Sequence, residues 1–107
     1  MNNNVLTTLS KVLLNIDNLP WEYALYIPSV NAGWSRDIKC MVLDPEETED
    51  PDDDPDEAKN NGMKYALGIS DVQDVMENIL AQKRTLDLNL QIKALKYYYD
   101  NDAFIEL

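Results

Sequence analysis

The chain of 107 residues is 45% hydrophobic and 27% charged, which suits one globular domain and leaves too little chain for two independent cores. Its formal net charge of -11 disfavours direct binding to DNA, RNA or an anionic membrane, because no basic surface is available to neutralise phosphates. The sequence has no His and one cysteine, Cys40, so it lacks the commonest general base and metal ligand, and a disulfide framework is excluded.

The N-terminal segment and the hydropathy pattern predict the compartment. Met1 is followed by three Asn residues, without a charged leader that precedes an apolar run. No apolar stretch approaches the roughly 20 residues that a membrane span needs. Together with the single cysteine, these features predict a cytoplasmic protein that forms one domain over residues 1–107.

The first predicted helix is indicated by one apolar stripe at helical spacing. Asn4 is the expected N-cap, and Asn18-Leu19-Pro20 is expected to end the helix. The stripe consists of Val5, Leu6, Leu9, Val12, Leu13 and Ile16.

Two strands are predicted next, in "WEYALYI" (residues 21–27) and "DIKCMVLD" (residues 37–44). Both are short and rich in aromatic or β-branched residues, as half-buried strands are. Alternation places Leu25 and Ile27 on one face of the first strand and Tyr26 on the other. In the second strand Cys40 falls on an apolar face, where a free cysteine acts as a small hydrophobe.

The segment between these strands, "IPSVNAGWSRD", contains the turn residues Pro28, Asn31 and Gly33 and places Trp34 at a loop edge near Arg36. A tryptophan in such a position either covers the core or serves as a binding contact, and covering the core is the commoner role. Trp34 is therefore a candidate partner contact with a structural alternative.

Residues 44–57, "DPEETEDPDDDPDE", form what we call the acidic strip; it holds ten of the 20 acidic residues and none of the nine basic ones. A calcium loop needs a glycine at its sharp turn, but residues 50–61 contain none, and three prolines stiffen the strip. A solvated connection between two strands is the favoured interpretation, and docking to a basic protein is the alternative. Because the predicted apolar faces all lie outside the strip, deletion of residues 46–56 is expected to leave the fold intact.

A third strand is predicted in "MKYALGI" (residues 63–69), with Met63, Tyr65 and Leu67 on one face. The preceding "DEAKNNG" suggests a short helix that ends at Gly62. The next helix has the apolar face Val72, Val75, Met76 and Ile79, and Ser70 with Gln73 has the spacing of a capping box. The last helix repeats Leu88, Ile92, Leu95 and Tyr99, with Asp87 or Thr85 as its cap.

The C-terminal segment "ALKYYYDNDAFIEL" carries three consecutive tyrosines beside carboxylates. Tyr99 joins the apolar stripe and Tyr98 lies at its edge, whereas Tyr97 points away and is expected to be exposed. Phe104 is expected to fold back into the core with Ile105. Tyr97 is left open as an interface anchor.

Catalytic chemistry is not indicated by any motif. Cys40 has no imidazole partner, and the three glycines, at 33, 62 and 68, are isolated, so there is no phosphate-binding loop. Carboxylate-only catalysis is the remaining enzymatic alternative, although no pair of carboxylates stands out. We expect no enzyme activity, no catalytic residue, no metal and no cofactor.

The order of predicted elements is helix, strand, strand, acidic strip, strand, helix, helix. With few strands and no regular βαβ alternation, it predicts an α+β fold in which a small antiparallel sheet of about three strands is covered by about three helices.

Three stretches, "CMVLDPEETEDPDD", "GMKYALGISDVQDVMENILAQK" and "ALKYYYDNDAFIEL", resemble a family of small uncharacterised bacterial proteins. The resemblance runs over most of the chain and implies a single α+β domain, and its motifs are structural rather than catalytic. In size and charge the chain is also similar to immunity proteins, which neutralise toxins by binding them.

These observations predict a non-enzymatic protein-binding module, of the immunity type, that faces a basic protein partner. A domain with a structural or oligomer-forming role and a solubilising loop is the alternative. The expected contacts come from the acidic strip and from nearby aromatics; they are Glu47, Glu49, Asp52, Asp53, Asp54, Asp56, Trp34 and Tyr97.

Overall fold

A computed structural model describes residues 6–29, 33–46, 54–83 and 87–107. Along these residues the chain forms β1 (Thr7–Thr8), α1 (Leu9–Leu14), a 3-10 turn (Ile16–Asn18), β2 (Ala24–Pro28), β3 (Lys39–Leu43), α2 (Asp56–Asn60), β4 (Met63–Gly68), α3 (Ile69–Lys83) and α4 (Leu88–Asn101). The predicted α+β class with an antiparallel sheet is confirmed. Where about three strands and three helices were expected, the described residues form four of each.

The sheet has the order β1-β3-β2-β4, and each neighbouring pair is antiparallel. β2 is therefore a central strand that bonds to β3 on one side and to β4 on the other. Both of its faces are buried, because Leu25 and Ile27 point to one side and Ala24 and Tyr26 to the other. This double burial explains why the strand is continuously apolar rather than alternating.

Helices α1, α3 and α4 cover one face of the sheet and enclose the inner core. Its sheet residues include Leu25, Cys40 and Leu67, and its helix residues include Val72 and Leu95. The opposite face carries a smaller outer core, made of Ala24, Tyr26, Met41, Leu43, Ala58 and Met63. Ala58 lies on α2 and is fully buried, so this short helix covers the outer face of the sheet.

The acidic strip belongs to a crossover connection. β3 and β4 lie on opposite sides of β2 and run parallel to one another, so the chain between Leu43 and Met63 has to return across one face of the sheet. Such a parallel crossover needs about a dozen residues or more. α2 forms the final part of this return on the outer face and ends at Asn60. Gly62, where the short helix was expected to end, has φ +67° and directly precedes β4.

The acidic strip is not wholly solvated at its C-terminal end. Pro55 is buried, and the backbone N–H groups of Ala58 and Lys59 donate to its carbonyl oxygen at 3.0 and 3.1 Å. The premise that the strip lies entirely outside the packed faces is therefore wrong at Pro55.

The first helix starts later than its apolar stripe predicts. Thr7 and Thr8 pair with Cys40 and Lys39 as an edge strand, and α1 begins only at Leu9. The free edge of β3 satisfies the backbone of these β-branched residues, so extended pairing replaces the first helical turn. Leu9, Val12, Leu13 and Ile16 are buried as expected, whereas Leu6 is exposed; Asn4 and Val5 lie outside the described residues.

Helix α3 follows β4 directly, and the capping box predicted for Ser70 and Gln73 does not form. Ser70 is already the second helical residue, and its backbone N–H donates to the Trp21 carbonyl oxygen at 3.2 Å. The Gln73 amide instead donates to the carbonyl oxygens of Ile16 and Leu19, at 2.9 and 3.2 Å. Gln73 thus fastens the end of the 3-10 turn to α3 rather than capping its own helix.

Helix α4 agrees closely with its predicted pattern. Asp87 is the N-cap, and its carboxylate accepts hydrogen bonds from the backbone N–H groups of Asn89 and Leu90. Thr85, the alternative cap, lies outside the described residues. The helix ends at Asn101, and Asp102 follows in the left-handed conformation with φ 53°.

The faces of β4 differ from strict alternation because of a bulge. Leu25 pairs with Leu67 and Tyr26 with Tyr65, so Ala66 is an extra residue on β4. Leu67 consequently faces the inner core, while Tyr65 contacts Tyr26 on the outer face. The prediction that Met63, Tyr65 and Leu67 share one face is wrong for Leu67.

None of the helices in the described part of the chain is long and apolar enough to cross a membrane.

Candidate functional surface

Tyr26 and Tyr65 form an aromatic pair on the outer face of the sheet, next to the acidic strip. Their rings are 5.9 Å apart and nearly perpendicular, at 87°. Burial raises the pKa of Tyr26 to about 12, with further contributions from Asp54, Tyr65 and Asp44. Asp44 and Asp54 belong to the two described ends of the strip, so both ends act electrostatically on this tyrosine.

The acidic cleft lies beside this pair and has a volume of about 300 Å³. It is lined by Tyr65, Ala66, Leu67, Asp71, Tyr98, Tyr99 and Asp102. The pKa of Tyr98 is raised by burial, by the charges of Asp71, Asp102 and Asp74, and by a hydrogen bond with Asp71. The cleft thus combines aromatic rings with a carboxylate of α3 and a carboxylate just after the end of α4.

Tyr65 joins the strip to the acidic cleft. Its ring contacts Tyr26 on one side, and its pKa is raised by burial and then by Asp71 on the other. Asp44 and Asp54 act on Tyr26. Asp71 acts on Tyr65 and Tyr98, and Asp102 acts on Tyr98. These four carboxylates therefore lie along one set of tyrosines. We call this the acidic-aromatic surface; it comprises Asp44, Asp54, Tyr26, Tyr65, Asp71, Tyr98 and Asp102.

Residues 6–107 match a family described as a domain of unknown function, DUF7716. The chain belongs to this family. No curated protein and no solved structure matches the chain. Membership in DUF7716 agrees with the resemblance to an uncharacterised family over most of the chain, and it assigns no catalytic or binding residue.

In this member of DUF7716 the predicted contact residues occupy different places. Glu47, Glu49, Asp52 and Asp53 lie outside the described residues. Asp54 is half-buried near Tyr26, and Asp56 is exposed at the start of α2.

The two predicted aromatic contacts, Trp34 and Tyr97, do not line the acidic cleft. The Trp34 ring packs on Tyr99 with a centroid distance of 5.3 Å and lines a separate cleft with Arg36, Lys93 and Lys96. Tyr97 is 40% exposed, as expected, on α4. Phe104, expected in the core, contacts the Tyr98 ring at 5.5 Å but remains 44% exposed.

Sequence patterns did not predict that the residues of the acidic-aromatic surface lie together. Tyr26 was predicted on the face of its strand opposite Leu25, and Tyr65 on the same face as Leu67. No local pattern showed that the two tyrosines contact each other across the sheet. Asp71 and Asp102 carry no local signal, since only the packing of α3 against α4 brings their carboxylates to the same tyrosine.

Nucleophilic chemistry at Cys40 is disfavoured by its surroundings. The side chain is fully buried in β3, and burial raises the pKa of the thiol to about 12. Because the thiolate is the reactive form, this cysteine is a packing residue. Among the described residues no three metal-ligating side chains are placed to share an ion.

Tyr26→Phe is expected to reduce the loss of stability at alkaline pH. The folded protein holds the Tyr26 proton up to a pKa of about 12, while the unfolded chain releases it near the ordinary value of 10.0. The free energy of unfolding should therefore fall as the pH rises between these values, and less so in the variant. Urea unfolding over a pH series measures both slopes.

Tyr97→Phe is the matched control, because the Tyr97 ring is partly exposed on α4. It should retain the alkaline slope of the unsubstituted protein. Equal slopes in Tyr26→Phe and in the unsubstituted protein would contradict the assignment of the loss to Tyr26.

Proposed function

We propose that this protein is a non-enzymatic cytoplasmic module that binds a basic protein partner through the acidic-aromatic surface. The observation that carries the proposal is the acidic cleft, in which the charges of Asp71 and Asp102 act on the Tyr98 ring. The site suits a positively charged side chain, because carboxylates hold it by charge-assisted hydrogen bonds and tyrosine rings attract it through their electron-rich faces.

The acidic strip supports the proposal through its charge. Ten of its 14 residues are Asp or Glu, and the remainder of the chain is nearly neutral. The field is therefore directional and steers a basic partner toward the surface where Asp44 and Asp54 flank Tyr26. Steering raises the association rate, and contacts in the cleft set the lifetime of the complex.

An immunity-type role in a bacterial toxin system is the specific form of this proposal. Immunity proteins neutralise toxins by binding them, and a small acidic domain with a tyrosine-lined acidic cleft suits a toxin with a basic surface. Membership in DUF7716 is compatible with this role and does not assign it.

The test compares the unsubstituted protein with Asp71→Asn/Asp102→Asn. Asn tolerates the left-handed backbone at position 102, and the amide at position 71 still accepts a hydrogen bond from Tyr98, so only charge is removed. A partner captured from the native host is identified and purified, and its affinity for each protein is measured by calorimetry. We expect a basic partner and a loss of about tenfold or more in the double variant.

Glu77→Gln is the matched control, since Glu77 is an exposed carboxylate on α3 outside the acidic cleft. It should retain the original affinity. Added salt should weaken binding to the unsubstituted protein, because exposed charges are screened over roughly 8 Å at physiological ionic strength. Equal affinity in all three proteins, or binding insensitive to salt, would overturn the proposal.

A further inference from the structure

A second cleft, here called the basic cleft, lies between residues 34–36 and α4. Its volume is about 390 Å³, and it is lined by Trp34, Ser35, Arg36, Asn89, Ile92, Lys93 and Lys96. This volume falls within the roughly 300–1,000 Å³ that is usual for small-molecule sites. Three of the nine basic residues of a chain with net charge -11 thus converge on one concave site.

The fold holds both walls of the basic cleft in place. On α4, Asn89, Lys93 and Lys96 follow at i, i+4 and i+7 and so share one side of the helix. On the opposite wall, the Arg36 carbonyl oxygen accepts from the Ser10 N–H at 3.1 Å, and the Trp34 ring rests on Tyr99. The Arg36 guanidinium also donates to the Asn89 amide oxygen at 3.3 Å, across the cleft.

Two of the three cations have no counter-charge among the described residues. Lys96 forms an ion pair with Asp100 at 2.5 Å. Arg36 bonds only to the neutral amide of Asn89, and no described carboxylate lies within ion-pair distance of Lys93. The cleft therefore keeps a local positive charge on a protein that is otherwise acidic.

We propose that the basic cleft binds a small ligand in which a phosphate or carboxylate group is attached to a flat ring. Arg36 and Lys93 hold the anionic group, since guanidinium and ammonium donors both form charge-assisted hydrogen bonds with such oxygens. Trp34 provides the aromatic wall for the ring. A nucleic acid is disfavoured as the ligand, because its many phosphates are repelled by the net charge of -11.

The tryptophan indole signals of the ¹⁵N-labelled full chain test this proposal. The chain has two tryptophans; Trp34 lines the cleft, and Trp21, 66% exposed, lies outside it as an internal reference. Adenosine 5′-monophosphate and benzoate are the two probes, which distinguish a phosphate source from a carboxylate source. Adenosine and inorganic phosphate are the two separate halves of adenosine 5′-monophosphate and serve as its controls.

We expect at least one of the two probes to shift the Trp34 signal saturably, with Kd in the millimolar range or tighter, while Trp21 stays unchanged. Where adenosine 5′-monophosphate binds, adenosine alone and inorganic phosphate alone should each bind at least about tenfold more weakly than it does. In Arg36→Gln/Lys93→Gln the affinity should fall at least about tenfold, whereas Lys64→Gln/Lys83→Gln, at exposed cations outside the cleft, should leave it unaltered.

Unchanged dispersion of the backbone amide signals shows that each variant is folded. No saturable Trp34 shift with either probe would overturn the proposal. Equal affinity of the two double variants for the probe would also overturn it, because binding would then not depend on the cations of the cleft. The acidic-aromatic surface is not involved in any of these outcomes, so its own test stands apart.

Discussion

Leu25→Ala is expected to lower the free energy of unfolding by about 2–5 kcal/mol, which is the usual cost of truncating a buried leucine. Leu25 is fully buried at the centre of β2, where it pairs with Val42 on one side and Leu67 on the other. Its side chain lies in the inner core beneath the helices, so the truncation leaves a cavity that neighbouring side chains fill only in part. Domains of this kind are typically stable by about 5–15 kcal/mol, so the loss is a large fraction of the total.

Leu14→Ala makes the same chemical change at a position that is 84% exposed on α1. It should alter the stability by less than about 0.5 kcal/mol. Urea unfolding followed by far-ultraviolet circular dichroism measures both variants. Equal losses at Leu25 and Leu14 would contradict the position of β2 at the centre of the sheet.

The sequence predicted the elements that carry strong apolar periodicity. Helix α4 is an example, because Ile92 and Leu95 recur at helical spacing and are both buried, and Asp87 caps the helix as expected. The predicted start of α1 was wrong, since Thr7 and Thr8 lie within the span of the predicted helix but pair with the edge of β3. A local pattern does not reveal a free strand edge elsewhere in the chain.

The outer core was not predictable from periodicity. The segment "DEAKNNG" contains one apolar residue, Ala58, and a single small side chain gives no stripe. Ala58 is nevertheless fully buried, because α2 returns across the sheet between β3 and β4. The topology assigns a packing role to residues that look solvated in the sequence.

The two clefts were predictable only in part, because the fold brings together residues that are distant in the sequence. Arg36 and Asn89 are 53 residues apart and meet across the basic cleft, and neither carries a motif. The helical spacing of Lys93 and Lys96 could be read from the sequence, but the loop that they face could not. Trp34 was correctly placed near Arg36, although its surroundings are cationic rather than acidic.

Deletion of residues 46–56 is expected to destabilise the protein, whereas neutralising the five carboxylates of residues 47–53 in the full chain is not. The deletion removes the first residue of α2 and the buried Pro55, whose carbonyl oxygen accepts the first hydrogen bonds of this helix. Ala58 is then no longer held against the outer core. Tyr26, Met41 and Met63 are then left uncovered, and we expect a loss of more than about 2 kcal/mol.

Neutralisation replaces all five carboxylates of residues 47–53, as Glu47→Gln, Glu49→Gln, Asp50→Asn, Asp52→Asn and Asp53→Asn. It leaves Pro55 and Ala58 in place and lessens the repulsion among like charges, so the stability should remain within about 0.5 kcal/mol of the original or rise slightly. Urea unfolding compares the three proteins. If the deletion variant is as stable as the intact chain, α2 does not cover the outer core. If the neutralised variant unfolds as readily as the deletion variant, the charges of residues 47–53 stabilise the fold. The loss in the deletion variant is then not explained by Pro55 and Ala58.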